Sequence, residues 1–160
     1  MKDIFIDNNI AKDFSNPIEP DYLQLINWLQ TYNQTAVKDG SIKEEDIAYL
    51  VVSQKLLVEY LSSARNASKD TSIPIIIDQL TREGRLNKFS NKDIENFKNK
   101  YFKKKIKFRS NYKDQNHLPI ILMSERKMAL TLDVNFKFDL ENFPRFSVQV
   151  EKRPQDLNYY

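Results

Sequence analysis

The sequence predicts an α/β domain built on a mostly parallel sheet. Three observations predict it. Short runs of β-branched and aliphatic residues, at 4–6, 47–52, 128–132 and 146–150, alternate with longer segments whose apolar positions recur every three or four residues. Strands that alternate with amphipathic helices are the pattern of βαβ units. The chain has 160 residues, the length of one domain and enough to bury a core without cross-links. It has no cysteine, which excludes a disulfide framework and a thiolate zinc site.

Residues 4–6 (Ile-Phe-Ile) make the first predicted strand, and Asp7, Asn8 and Asn9 follow at once. Asp7 is either a helix cap, a position that favours Asp and Asn, or a metal ligand, because ligands gather at the carboxyl ends of parallel strands. A short helix over 10–14 is expected to stop before Ser15, Asn16 and Pro17. Pro20 opens a helix expected to reach about residue 36, with Tyr22, Leu25, Ile26, Leu29 and Tyr32 as its apolar stripe and Trp28 packing at the flank. Residues 38–41 are a glycine-containing loop. A second buried strand spans 47–52, and Ser53 caps the helix after it. Leu56, Leu57, Tyr60, Leu61 and Ala64 form that helix's apolar face. At ~100° per residue Glu59 stands at the edge of this face, half sheltered and still open to a cleft. The plain alternative is an ordinary solvated glutamate.

Residues 72–84 read as a helix with Pro74 in its first turn and Gly84 as its stop, although Ile75, Ile76 and Ile77 also suit a strand. A short strand at 85–89 follows. Ser90 or Asn91 then caps a helix expected to run to about residue 108 on Ile94, Phe97, Tyr101 and Phe102. Residues 110–116 are a polar loop, and 117–126 a mostly apolar helix whose start is confined by Pro119. The third buried strand, 128–132, ends at Asp133. A helical turn follows from Asn135 and Phe136 to about 143, then a period-two strand at 146–150 and a tail at 154–160.

The formal charge is +3 with a pI near 8.9, which permits a nucleic-acid partner without requiring one. His117 is the single histidine, so a multi-histidine metal site is excluded, and two glycines, Gly40 and Gly84, exclude a P-loop or a dinucleotide fingerprint. No apolar run is long enough for a membrane span and no signal peptide opens the chain, so a cytoplasmic protein is expected. The positive charge is concentrated: Lys98, Lys100, Lys103, Lys104, Lys105, Lys107 and Arg109 occur with no acid among them and with Tyr101, Phe102 and Phe108 interleaved. Such a run is either a solvated helix face or a contact for a phosphate backbone.

Asp7, Glu59, Asp114 with Asn116, and Asp133 all fall at strand exits or helix entries on one side of the predicted sheet. No matching cluster of Lys or Arg is visible at those exits. Unpaired carboxylates brought together repel, which raises their pKa values unless a cation intervenes. A hard cation such as Mg²⁺ or Mn²⁺ suits oxygen ligands, and it can generate hydroxide from water and stabilise a pentavalent phosphate.

With these residues in place, the chain resembles the PIN-domain family, which includes the VapC-class toxin ribonucleases of toxin–antitoxin pairs. The likeness runs from residue 3 to about 150 and rests on IFIDNN, SQKLLVEY and KDQNHLPIILMSERKMALTLDVNF. The family's Asp-x-Asn matches Asp7 and Asn9, its helix glutamate matches Glu59, and its Thr-x-Asp-x-Asp-Phe matches Thr131, Asp133, Asn135 and Phe136. The resemblance implies a three-layer sandwich and cleavage of single-stranded RNA. It implies Mg²⁺ or Mn²⁺ held by Asp7, Glu59, Asp114 and Asp133, with Asn116 and Asn135 beside them. RNA would be held by Asn9, Lys103, Lys104, Lys105, Lys107 and Arg109. An antitoxin protein and a second copy of the chain are the partners it suggests. Two departures stand out. Asn116 directly precedes the predicted helix where the family often has aspartate, so Asp114 and Asn116 both stay open as the third ligand. Asn135 replaces a further aspartate. Amide for carboxylate weakens metal affinity and favours one ion over two. A non-catalytic RNA- or protein-binding module on the same fold is the rival reading. A small-molecule phosphohydrolase is a second, which the basic run disfavours.

Overall fold

Lys2–Ile6 (β1) is the middle strand of a five-stranded, all-parallel sheet with the order β3-β2-β1-β4-β5, in a computed structural model that describes residues 1–16 and 19–160. The other strands are Ala48–Ser53 (β2), Leu86–Phe89 (β3), Met128–Leu130 (β4) and Gln149–Glu151 (β5). β1 divides its pairing along its length. Asp3 and Ile4 lie opposite Tyr49 and Leu50 of β2, whereas Phe5 and Ile6 lie opposite Ala129 and Leu130 of β4. A strand with a neighbour on each side and helices on each face has no solvated surface, which is why Ile4, Phe5 and Ile6 are a continuous apolar run and are fully buried.

The helices are Asn8–Ala11 (α1), Pro20–Thr31 (α2), Gln34–Lys38 (α3), Gln54–Ser63 (α4), Ile73–Arg82 (α5), Asn91–Tyr101 (α6), Leu118–Met123 (α7) and Val134–Glu141 (α8). The chain first winds from β1 outward through β2 to β3, then crosses back to add β4 and β5 on the other side of β1. Right-handed crossovers in opposite directions place their helices on opposite faces. Accordingly α2 packs on α5, and α6 on α7. The strand order reverses at β1, so the carboxyl edge beside β1 and β4 is the crevice where doubly wound sheets bind ligands. Among the described residues no helix is long and apolar enough to cross a membrane.

Several predicted boundaries shift, each for a local reason. The helix expected over 20–36 breaks in two because the Asn33 side chain accepts from the backbone N–H groups of Thr35 and Ala36 and starts a new helix there. The helix expected to reach 108 ends at Tyr101. Beyond it, Phe102 and Phe108 turn onto Phe143, with ring centroids 5.7 and 6.3 Å away, while the lysines between them, which would repel on one helix, stay in solvent. Lys103, Lys104, Lys105, Lys107 and Arg109 therefore lie on an irregular stretch and not on a helix. The apolar helix before β4 is α7 alone, preceded by a 3₁₀ turn over Asp114–His117. The last strand is three residues long, because Phe146 is drawn into rings from Phe97, Tyr101 and Phe143. The first helix spans Asn8–Ala11, not 10–14, and its expected stop at Pro17 lies outside the described residues. Leu61, expected on the buried face of α4, is exposed. The tail docks: Leu157 and Tyr159 are buried, and Tyr159 meets the Trp28 ring edge-on at 5.0 Å.

Two buried charged side chains bind the layers. Arg85 donates from Nη1 to the carbonyls of Leu29 (2.7 Å) and Ala48 (2.8 Å) and from Nε to Glu83 (2.6 Å). The Asp3 carboxylate, with no exposed surface, accepts from the Glu125 and Arg126 backbone N–H groups (2.9 Å each) and from Asn87 Nδ2 (2.7 Å). It thereby fixes the turn that leads into β4. Asp3→Ala should cost about 2–4 kcal/mol, because buried donors are left without an acceptor. Urea unfolding of both chains measures this, and an unchanged midpoint would show that Asp3 is dispensable.

Candidate functional site: an acidic cleft at the carboxyl edge of the sheet

Asp7 follows β1 and takes the N-cap backbone position of α1, but its side chain makes no capping bond. It accepts instead from Thr131 Oγ1 at 2.6 Å. Thr131 stands just past β4, so this bond joins the exits of the two strands on either side of the crevice. The Thr131 hydroxyl also accepts from the Asp133 N–H at 3.1 Å, and Asp133 caps α8, accepting at one oxygen from Asn135 N (2.9 Å) and Phe136 N (3.1 Å). Glu59 is placed by its neighbour. Tyr60 is fully buried and donates its hydroxyl to the Ile6 carbonyl, pinning α4 to the end of β1. Burial pushes the Tyr60 hydroxyl well above its ordinary pKa, so it remains a donor. Asn8 and Ser63 hydrogen-bond across the same junction at 2.8 Å. Asp114 opens the 3₁₀ turn, with its N–H on Asn111 Oδ1 at 2.9 Å.

Asp7, Glu59, Asp114 and Asp133 line one open cleft of about 400 Å³, together with Asn8, Asn9, Lys12 and Lys113. Two of these carboxylates are pushed above the ordinary range. For Asp7 the largest cause is burial, opposed by the Thr131 bond and the His117 charge and augmented by Asp114. For Asp114 it is again burial, followed by repulsion from Asp133 and, less, from Glu59. Glu59 moves the other way. Burial pushes it up, but the hydrogen bond and charge of His117, with Lys113 and Lys55 behind them, bring it below its usual value. His117 Nε2 lies 3.1 and 3.2 Å from the two Glu59 oxygens. His117 is 2% exposed and its Nδ1 finds no partner among the described residues. Nε2 faces the Glu59 carboxylate, so this nitrogen is the one that donates.

Not every predicted site residue reaches the cleft. Asn116 points elsewhere: its Oδ1 accepts from Lys98 Nζ and its Nδ2 donates to the Tyr112 and Lys113 carbonyls. Of the two candidates for the third position, Asp114 is the one that lines the cleft. Asn135 is exposed and contributes its backbone N–H to the Asp133 cap. Asn9 lies on the rim and accepts from the Leu132 N–H at 3.4 Å. The exposed Lys103, Lys104, Lys105, Lys107 and Arg109 do not line the cleft. Arg109 lies over the Phe138 ring at 3.5 Å, and the Arg109 and Ser110 N–H groups are held by the buried Asp139 at 2.8 Å each.

Sequence reasoning gave no site role to four residues. Lys12 and Lys113 supply positive charge where none was expected, and Thr131 and His117 orient Asp7 and Glu59. Lys113 could have been found from its place beside Asp114. Lys12 could not, because its position depends on how α1 meets α4. Comparison with protein-family models, curated proteins and solved structures finds no match for this chain.

The raised Asp7 pKa makes a signed prediction. Between the ordinary aspartate pKa of 3.8 and the raised value, the folded chain holds a proton that the unfolded chain has released, so this group lowers stability as pH rises through that window. Asp7→Asn keeps an acceptor for Thr131 and removes the charge. In EDTA the variant should melt higher than the parent at pH 7, with the advantage shrinking towards pH 4. A lower melting temperature at pH 7 would show that the carboxylate is a net stabiliser.

Proposed function

We propose that the protein is a metal-dependent endoribonuclease acting on single-stranded RNA. The observation that supports this reading best is the gathering of Asp7, Glu59, Asp114 and Asp133, from four separate segments, around one cleft at the switch point of a parallel sheet. The donor set consists of hard oxygens, which fits Mg²⁺ or Mn²⁺. Among the described residues no three acidic or histidine side chains converge as a ready-made metal group. Mg²⁺ is commonly held by one or two carboxylates, with waters and substrate phosphates completing the shell, so the acids suit an ion that binds together with RNA. When bound, such an ion supplies a nucleophilic hydroxide and charge stabilisation at phosphorus.

The chain's own residues have distinct tasks in this reading. Lys12 and Lys113 draw the phosphate into an otherwise acidic cleft. Thr131 and His117 fix the directions of the Asp7 and Glu59 carboxylates. Asp7 and Asp114, with raised pKa values, are suited to accept a proton. Lys103, Lys104, Lys105, Lys107 and Arg109 hold the strand beyond the cleft, and Asn9 orients it at the rim. An antitoxin protein, a homodimer and a cytoplasmic location belong to the same proposal. A second reading, a non-catalytic RNA-binding module, is favoured by one observation: Glu59 is already engaged by His117.

Labelled single-stranded RNA incubated with Mn²⁺ or Mg²⁺ separates the two. Cleavage is expected with metal and not in EDTA, and Asp7→Asn or Asp133→Asn should each lower it by about 100-fold or more while the fold persists. RNA binding without metal-stimulated cleavage would select the module. Replacing Lys12 and Lys113 by Ala should weaken RNA binding and flatten its salt dependence, by about 0.7 in slope for each phosphate of a single strand that is no longer neutralised. Neutralising Lys103, Lys104 and Lys105 should do the same, with turnover at saturating RNA nearly unchanged. An unaltered slope in the second variant would make the basic stretch a solvated surface.

A further inference from the structure

Beside the acidic cleft lies a second pocket of about 380 Å³, within the ~300–1,000 Å³ usual for small-molecule sites. Asn9 lines both, and the consecutive residues Leu132 and Asp133 line one each. The two pockets therefore adjoin at Asn9 and at the Leu132–Asp133 peptide. The two differ in chemistry. The walls of the second pocket include Ile10, Phe14, Leu132 and the half-buried ring of Tyr22, whose hydroxyl is tied to the Lys152 carbonyl at 3.3 Å. Asn16 and Asn66 also line it. Among the described residues its one cation is Arg65, 3.4 Å from Asp13, and Glu19 adds negative charge, so the lining carries no excess of positive charge. A flat, neutral heterocycle suits this lining: the Tyr22 ring and Leu132 for its faces, and amides that both donate and accept for its edge.

We propose that this pocket, which shares a wall with the acidic cleft, is a nucleobase subsite and gives the protein a base preference. The proposal rests on the RNA reading above. Asn16 and Asn66 are its specificity-determining residues, since a hydrogen-bonding edge discriminates bases more sharply than an apolar wall does.

The test uses four fluorescein-labelled, 2′-O-methyl tetranucleotides, one for each base, in EDTA, with binding followed by anisotropy. With the metal removed by EDTA the probes stay intact, so the subsite is measured apart from catalysis. One homopolymer should bind about tenfold tighter than the others, the scale of one base contact. The double variant Asn16→Ala, Asn66→Gly should bring all four to within about twofold. Asn66 has φ +45°, a conformation glycine adopts readily, so the variant retains the fold. Equal binding of the four by the parent chain, or a preference that the double variant keeps, would overturn the subsite. Cleavage of RNA in Mn²⁺ without base preference would also remove the subsite and leave the nuclease reading. Base preference without cleavage would do the reverse.

Discussion

The two-sided pairing of β1 is the constraint on which the structure depends. β1 is five residues long, and β2 pairs with its first half while β4 pairs with its second. That stagger carries β4 further along the carboxyl edge than β2, so Asp7 and Thr131 emerge side by side. Strand order reverses at β1, and crossovers of one hand leave this edge uncovered. The crevice follows from topology, and the acids follow from which residues the chain places at the exits.

The site is electrostatically uneven. Asp7 and Asp114 are half-sheltered carboxylates above their ordinary pKa, whereas Glu59 is held below its own by a buried histidine. Asp133 uses one oxygen as a helix cap. Four carboxylates are therefore not four equivalent ligands. Two are raised by burial and crowding, one is already paired and one is shared with the backbone. Lys12 and Lys113 reduce the repulsion without neutralising it. Such a cleft is short of positive charge, a property that suits the entry of a cation together with a polyanion.

The neighbouring pocket has a different physical character: among the described residues its one cation, Arg65, is paired with Asp13. Polar and apolar linings meet at Asn9, and the proposed nucleotide ligand has the same division into a charged part and a flat neutral part.

The amino-acid sequence by itself determined the layers and the position of the sheet edge. Buried runs such as 4–6 and 47–52 have no charged residue to face water, so they had to be interior strands, and Ser53 and Ser90 marked helix starts through their own side-chain chemistry. It also determined that Asp7, Glu59 and Asp133 stand at that edge, because each is counted from a strand end. Only the tertiary structure decided what those carboxylates touch. Asp114 rather than Asn116 reaches the cleft, because Lys98 from α6 takes the amide. His117 reaches Glu59 from 58 residues away in the chain. Lys12 faces the acids because Asn8 and Tyr60 lock α1 and β1 to α4. Periodicity reports which side of an element a residue occupies, but contacts between distant segments depend on packing, and packing has no period to read.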